Sequence, residues 1–180
     1  MNYIAFLRGI NVGGNSMVKM TELKKVFEGL GYEDVITLLN SGNVCFQTDQ
    51  RSNSSLEKNI ELTLEKVFGW PISVIVRSQT EVEELIAINP FQTLHVTSDT
   101  RLYVTFLKEF LEAQPSKLAS GPGFRIIKIV GQAICSIVTH STSQTTTDLM
   151  KVLEEKYGRG VTTRNWNTVL KVAAAWQAGN

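Results

Sequence analysis

The chain opens with a short apolar run, a polar and glycine-rich stretch, and then an apolar pattern of a different period. Residues 3–7 are continuously apolar, which is typical of a central β-strand with both faces covered. Apolar residues then recur at helical spacing over 23–30, with Thr21 as a candidate N-cap and Gly31 as a candidate C-cap. This pattern predicts a strand followed by a helix.

The next segments complete one structural unit. Two β-prone runs, 35–39 and 44–47, are joined by Asn40-Ser41-Gly42-Asn43, whose residue types tolerate positive φ and favour a hairpin. An apolar stripe at helical spacing runs over 56–67, and a further strand follows at 72–76. The order is therefore strand, helix, strand, strand, helix, strand, which is the ferredoxin-like order.

A similar order recurs in the second half, without convincing sequence identity to the first. The predicted elements are a connecting helix at 81–88, strands at 102–107, 124–130, 133–138 and 160–163, and helices at 111–118, 148–157 and from Trp166 onward. We therefore predict an α+β fold of two packed ferredoxin-like subdomains with an extra C-terminal helix and an internal duplication. The predicted boundaries are 1–78 for the first subdomain, 79–98 for a connecting helix and loop, and 99–180 for the second subdomain.

Composition narrows the class of protein. The chain has 180 residues, 43% of them apolar, with 18 basic and 17 acidic side chains. A coiled coil or a disordered chain is excluded, and no apolar run approaches the roughly 18 residues that span a bilayer. No dense basic stripe is present, which argues against duplex nucleic acid as a partner. We expect a cytoplasmic protein, because Met1 leads directly into strand-like sequence rather than a leader peptide.

Recognisable catalytic and metal-binding patterns are absent from the sequence. Cys45 and Cys135 lie within apolar strand-like runs, where a buried and inert thiol is usual. Neither His95 nor His140 has a second histidine or a cysteine at metal-ligand spacing. We therefore predict no catalytic residue, no metal and no cofactor, and the sequence leaves open whether the protein is an enzyme.

The loop after the first strand is the most informative local feature. It contains Gly9, Gly13 and Gly14 and leads into a helix, so its backbone N–H groups and the helix dipole favour an anion. Arg8 and Lys19 supply full positive charges. The loop is neither a P-loop nor a dinucleotide-binding fingerprint. Alternatively, the glycines serve only to route the chain.

The predicted topology places three loops at one end of the first sheet. We call residues 8–19, 40–43 and 69–71 the rim. The side chains that it gathers are Arg8, Asn11, Lys19, Ser41, Asn43 and Trp70, together with the backbone of Gly13 and Gly14. The alternative is that 40–43 is ordinary turn chemistry and that Trp70 covers the core.

A second donor-rich segment spans residues 161–168 at the start of the last helix. Thr163 or Asn165 can cap that helix, while Arg164 and Asn167, together with Asn165, are candidates to donate to a ligand at its N-terminus. The alternative is a plain capping segment with Trp166 buried as an anchor. The sequence leaves both interpretations open.

Four motifs together resemble a known family. They are residues 6–14 (FLRGINVGG), 40–44 (NSGNV), 89–90 (NP) and 163–168 (TRNWNT). In combination they resemble the bacterial family catalogued as domain of unknown function 1697. The resemblance implies a compact protein of this size with paired ferredoxin-like subdomains, and it implies no reaction.

The leading functional hypothesis is that the rim binds a small anionic ligand, such as a nucleotide or a phosphorylated metabolite. One alternative is single-stranded nucleic-acid binding on an exposed sheet face, which requires exposed aromatic residues at alternating strand positions. Another is a non-catalytic interaction protein that dimerises through edge strands. The oligomeric state stays open.

Overall fold

The computed structural model describes residues 1–12, 17–109, 123–139 and 146–178. The chain divides into two compact units, the first comprising Met1–Glu83 with Lys171–Asn180, and the second comprising Glu84–Leu170. The predicted helix at 111–118 and most of the serine- and threonine-rich run at 139–147, for which the sequence predicts a surface loop, lie outside the described residues. No helix in the described part of the chain is long and apolar enough to cross a membrane.

The first unit has the predicted ferredoxin-like order. Its elements are β1 (Asn2–Leu7), α1 (Met20–Gly29), β2 (Glu33–Leu38), β3 (Asn43–Gln47), α2 (Asn53–Phe68) and β4 (Val74–Ser78). Within the described residues the strands form one antiparallel sheet in the order β2-β3-β1-β4. The continuously apolar strand β1 is therefore central, as its sequence predicts.

Both helices of this unit contribute to one apolar core against the sheet. The buried residues of α1 are Leu23, Val26 and Phe27, which confirms the predicted stripe. Helix α2 is capped at its N-terminus by Ser52, whose Oγ accepts from Ser55 N at 3.3 Å, and at its C-terminus by Gly69, whose φ of 83° is left-handed. Further members of the core come from the four strands, from α2 and from the loops, among them Ala5, Leu7, Val44, Phe46, Leu56, Ile60, Leu64, Val74 and Val76.

The opposite face of the first sheet is buried as well. Ile4, Phe6 and Cys45 point away from the helices and are at most 1% exposed. The Cys45 thiol donates to the carbonyl oxygen of Val172 at 3.9 Å, and both residues belong to the first unit. This two-sided burial explains why the strands carry continuous apolar runs rather than alternating ones.

The second unit repeats the same strand arrangement. Its elements are β5 (Thr100–Leu107), β6 (Phe124–Val130), β7 (Ala133–Thr139), α4 (Thr146–Tyr157) and β8 (Val161–Asn165), preceded by α3 (Gln79–Ile88) and followed by α5 (Trp166–Ala178). The described strands form an antiparallel sheet in the order β6-β7-β5-β8. The division between the units falls inside α3 and inside α5.

The second unit has its own core between α4 and the sheet. Leu107, Ile134 and Val161 from the strands are buried with Leu149 and Leu153 from the helix. Trp166 is 7% exposed and packs edge-on against Phe91, with ring centroids 5.3 Å apart. Trp166 is therefore a buried anchor, as one of the two sequence interpretations states.

The prediction of an α+β fold with two ferredoxin-like units and a C-terminal helix is confirmed, whereas some element details are wrong. Thr21 is not the N-cap of α1, because the helix begins at Met20 and the cap position is occupied by Lys19, two residues earlier than predicted. Val67 does not continue the buried stripe of α2, since its side chain is 55% exposed. The final strand, predicted at 160–163, forms at Val161–Asn165 and is followed directly by α5. The predicted boundaries at 78 and 98 stay a prediction.

Candidate functional site

The three loops of the rim meet at one end of the first sheet. Leu7 N donates to the carbonyl oxygen of Gly42 at 2.8 Å, which joins the end of β1 to the turn between β2 and β3. Arg8 N donates to the carbonyl oxygen of Ser73 at 2.8 Å, which joins β1 to the segment that leads into β4. The end of β1 is therefore bonded both to the turn at 40–43 and to the segment between the loop at 69–71 and β4, at one end of the first sheet.

Asn11 clamps the first loop to the turn. Its Oδ1 accepts from Val18 N at 2.7 Å, and its Nδ2 donates to the carbonyl oxygens of Val18 at 3.0 Å and of Asn40 at 2.8 Å. One side-chain amide thereby uses both of its donors and its acceptor on the protein backbone. The sequence predicts a ligand contact for Asn11, whereas in this arrangement its amide holds the rim together.

Asn43 and Gly42 shape the turn. Asn43 is fully buried, and its Nδ2 donates to the carbonyl oxygen of Leu38 at 2.9 Å and to Ser41 Oγ at 3.1 Å. Gly42 has a φ of 74°, and a Cβ built there would lie 2.6 Å from Cδ1 of Ile10. Only glycine fits this close approach, so the turn and the first loop are held in contact. Ser41 is exposed at the surface.

The two cations of the rim occupy different settings. Arg8 is half-buried, with its Nη1 atom buried, whereas Lys19 is exposed. Lys19 is the N-cap of α1, and its carbonyl oxygen accepts from the N–H groups of Glu22 and Leu23 while its side chain makes no capping bond. Positive charge therefore lies at a helix N-terminus on one side of the rim. The predicted residues Gly13 and Gly14 lie outside the described residues.

Exposed apolar side chains also occur on the rim and on the residue next to its turn. Val12 is 68% exposed, Met17 is 70% exposed, and Leu39, which directly precedes the turn, is 48% exposed. Leu39 also has a φ of 57°. None of the three stands out in the sequence, because isolated apolar residues in loops are common and carry no signal of their own.

The Trp70 side chain packs against the core of the first unit rather than lying open on the surface as a platform for a ligand ring. It is half-buried, packs against the core of the first unit, and lies 5.9 Å from Phe68 between ring centroids. This placement favours the interpretation of Trp70 as a cover for the core.

The second predicted segment belongs to the second unit. Arg164 is 7% exposed, and its Nη1 donates to Thr162 Oγ1 and to the carbonyl oxygen of Thr163, both at 2.9 Å. Burial lowers the pKa of Arg164 to about 10. Asn165 Oδ1 accepts from Asn167 N at 2.9 Å, so Asn165 caps α5, and Asn167 itself is exposed. These contacts describe a capped helix preceded by a buried arginine.

Comparison with known proteins gives the family. A family model described as a protein of unknown function (DUF1697) matches residues 1–122. The chain belongs to this family. The matched range contains the whole rim of the first unit. No curated protein matches the chain.

A solved structure is similar over nearly the whole chain. It is a conserved bacterial protein, SP0830, from Streptococcus pneumoniae, and the two sequences are 25% identical. The similarity covers 96% of this chain and 97% of that one, with a TM-score of 0.68. The family and the fold are therefore shown together, and neither the description of the family nor the name of that protein states an activity.

Three carboxylates line the outer edge of β4. The sequence predicts only a solvated helix face for Glu81, and it did not single out Glu57 or Glu61. Glu57 Oε1 accepts from Val76 N at 2.9 Å, and Glu61 Oε1 accepts from Val74 N at 2.7 Å. Glu81 Oε2 accepts from Ser78 N at 2.7 Å. Every second backbone N–H group of β4, at Val74, Val76 and Ser78, therefore donates to a carboxylate. The spacing of Glu57 and Glu61, four residues apart on α2, is the signal that could have found them.

A buried arginine accompanies these carboxylates. Arg77 is 3% exposed, its Nη1 lies 3.8 Å from Glu57 Oε1, and its Nε lies 4.0 Å from Glu81 Oε1. Burial lowers the pKa of Arg77, and the two carboxylates oppose that shift. The carboxylates of this cluster serve as hydrogen-bond acceptors for the N–H groups of the sheet edge. Among the described residues, no three histidine, cysteine or acidic side chains gather so as to hold a metal ion.

Proposed function

We propose that the rim binds a small anionic ligand, such as a phosphate or carboxylate group on a metabolite. The observation that carries the proposal is the junction of the three loops, which fixes the position of Arg8 through its backbone bond to Ser73 and brings the N-terminus of α1 to the same surface through Asn11 and Val18. A guanidinium group and a helix N-terminus both favour negative charge.

The roles that we propose for the rim side chains differ from the ligand contacts that their residue types suggest. Asn11 and Asn43 keep the backbone of the rim in place, and Arg8 and Lys19 provide the charge. Ser41, an exposed residue of the turn, contributes a hydroxyl. A site whose frame is fixed before the ligand arrives loses less conformational entropy on binding than a mobile loop would.

The nucleic-acid alternative has less support. Base stacking requires aromatic side chains on an open sheet face. Tyr3, Phe6 and Phe106 are at most 2% exposed, and Tyr103 is half-buried against the core of the second unit.

Dimerisation through edge strands also has less support. The N–H groups of β4 have carboxylate partners, and β2 carries a register shift between Glu33 and Ile36, with Asp34 at a φ of 48°. A bulge of this kind twists an edge strand away from pairing with another chain.

We infer in addition that the chain is an internal duplication. Residues 3–8 read YIAFLR, residues 103–108 read YVTFLK, and both lie on the central strand of a sheet and its end. Leu107 N donates to the carbonyl oxygen of Gln132 and Lys108 N to that of Gly160, both at 2.9 Å, which repeats the bonds of Leu7 and Arg8.

The strand register supports the same inference. In each unit a cysteine, a β-branched residue and an arginine are direct cross-strand neighbours: Cys45, Ile4 and Arg77 in the first unit, and Cys135, Val104 and Arg164 in the second. Alignment of the two halves across the family tests the inference. Matching residue classes at these positions in most members support it, and unrelated residues there contradict it.

The anion proposal is tested by thermal unfolding with inorganic phosphate, nucleotides and sugar phosphates. We expect at least one of these anions to raise the melting temperature of the protein, and Arg8→Ala to abolish the rise. Arg125→Ala is the matched control, since Arg125 is an exposed arginine on β6 of the second unit.

A parallel pair of variants tests the helix end. Lys19→Ala should weaken the rise, whereas Lys25→Ala, an exposed lysine in the middle of the same helix, should not. The proposal is wrong if no anion produces a shift, or if Arg8→Ala and Arg125→Ala behave alike.

A further inference from the structure

We draw no further inference here: the strongest candidate, the row of carboxylates along the outer edge of β4 (Glu57, Glu61 and Glu81), serves the backbone N–H groups of that strand and the buried Arg77, and nothing in the described part of the chain shows a ligand or a partner at that edge.

Discussion

Replacing Asn11 removes the clamp of the rim, and the structure sets the size of the effect. Asn11→Ala deletes three hydrogen bonds, two to Val18 and one to Asn40. A net contribution of about 0.5 to 1.5 kcal/mol for each bond, taken toward the low end because the site is partly exposed, gives about 2 kcal/mol. The φ of 57° adds strain for alanine. That strain brings the expected loss to about 3 kcal/mol.

A glycine variant separates the two contributions. Asn11→Gly loses the same hydrogen bonds and tolerates the positive φ, so it should be more stable than Asn11→Ala by about 0.5 to 1 kcal/mol. Asn40→Ala is the matched control, because the bond to residue 40 uses the backbone carbonyl, which alanine retains. Its stability should stay within about 0.5 kcal/mol of the unchanged protein.

The assay is urea unfolding at equilibrium, followed by circular dichroism, with the midpoint and the slope compared between variants. An unchanged slope shows that a shifted midpoint reports stability. If Asn11→Ala costs less than about 0.5 kcal/mol, or no more than Asn40→Ala does, the clamp does not hold the rim and the reasoning is refuted.

The other predictions concern packing and ionisation. Gly42→Ala should cost about 2 to 4 kcal/mol in urea unfolding, because its Cβ would lie 2.6 Å from Ile10 Cδ1 at a positive φ, and a cost below about 1 kcal/mol would contradict this close approach. Glu57→Leu should lower the free energy of unfolding by about 3 to 5 kcal/mol, because it leaves the charge of the buried Arg77 with less compensation. A double variant, Arg77→Leu with Glu57→Leu, that is no more stable than Glu57→Leu alone would contradict this. Burial raises the pKa of Cys45 and of Cys135 to about 12, so both thiols should resist alkylation at about pH 8 until the chain unfolds. Since the folded thiols hold their protons to higher pH than the unfolded ones, stability from this source is complete below about pH 8 and falls between about pH 9 and 12, and a flat profile there would contradict it.

A strand could be predicted from sequence where both faces of the sheet are buried, because the strand then consists of a continuous run of apolar residues. The β1 run at 3–7 is an example, because no charged residue interrupts it. The strand at Val161–Asn165 was harder to predict, since Thr and Arg dilute its apolar pattern. The hydroxyl of Thr163 meets that of Thr105 at 2.7 Å, so a polar pair is accommodated by a contact that depends on the tertiary fold.

The position of the rim could be predicted from topology, but the structural role of its asparagine side chains could not. Amide side chains serve equally well as ligand donors and as clamps for the backbone, and residue type does not distinguish the two roles. The sequence predicts ligand contacts for Asn11 and Asn43, and in the structure their amides bond neighbouring backbone and side-chain atoms. The match between residues 3–8 and 103–108 is too short to indicate a duplication by itself, and it gains weight only because the strand register in the two sheets is equivalent.

The measurement that tests the central claim most directly is an amide NMR titration of the isotopically labelled protein with inorganic phosphate. The account predicts saturable shifts confined to the rim, at residues 8–12, 17–22 and 40–43, and their loss in Arg8→Ala. Shifts that are absent, that do not saturate, or that centre on residues away from the rim would contradict it.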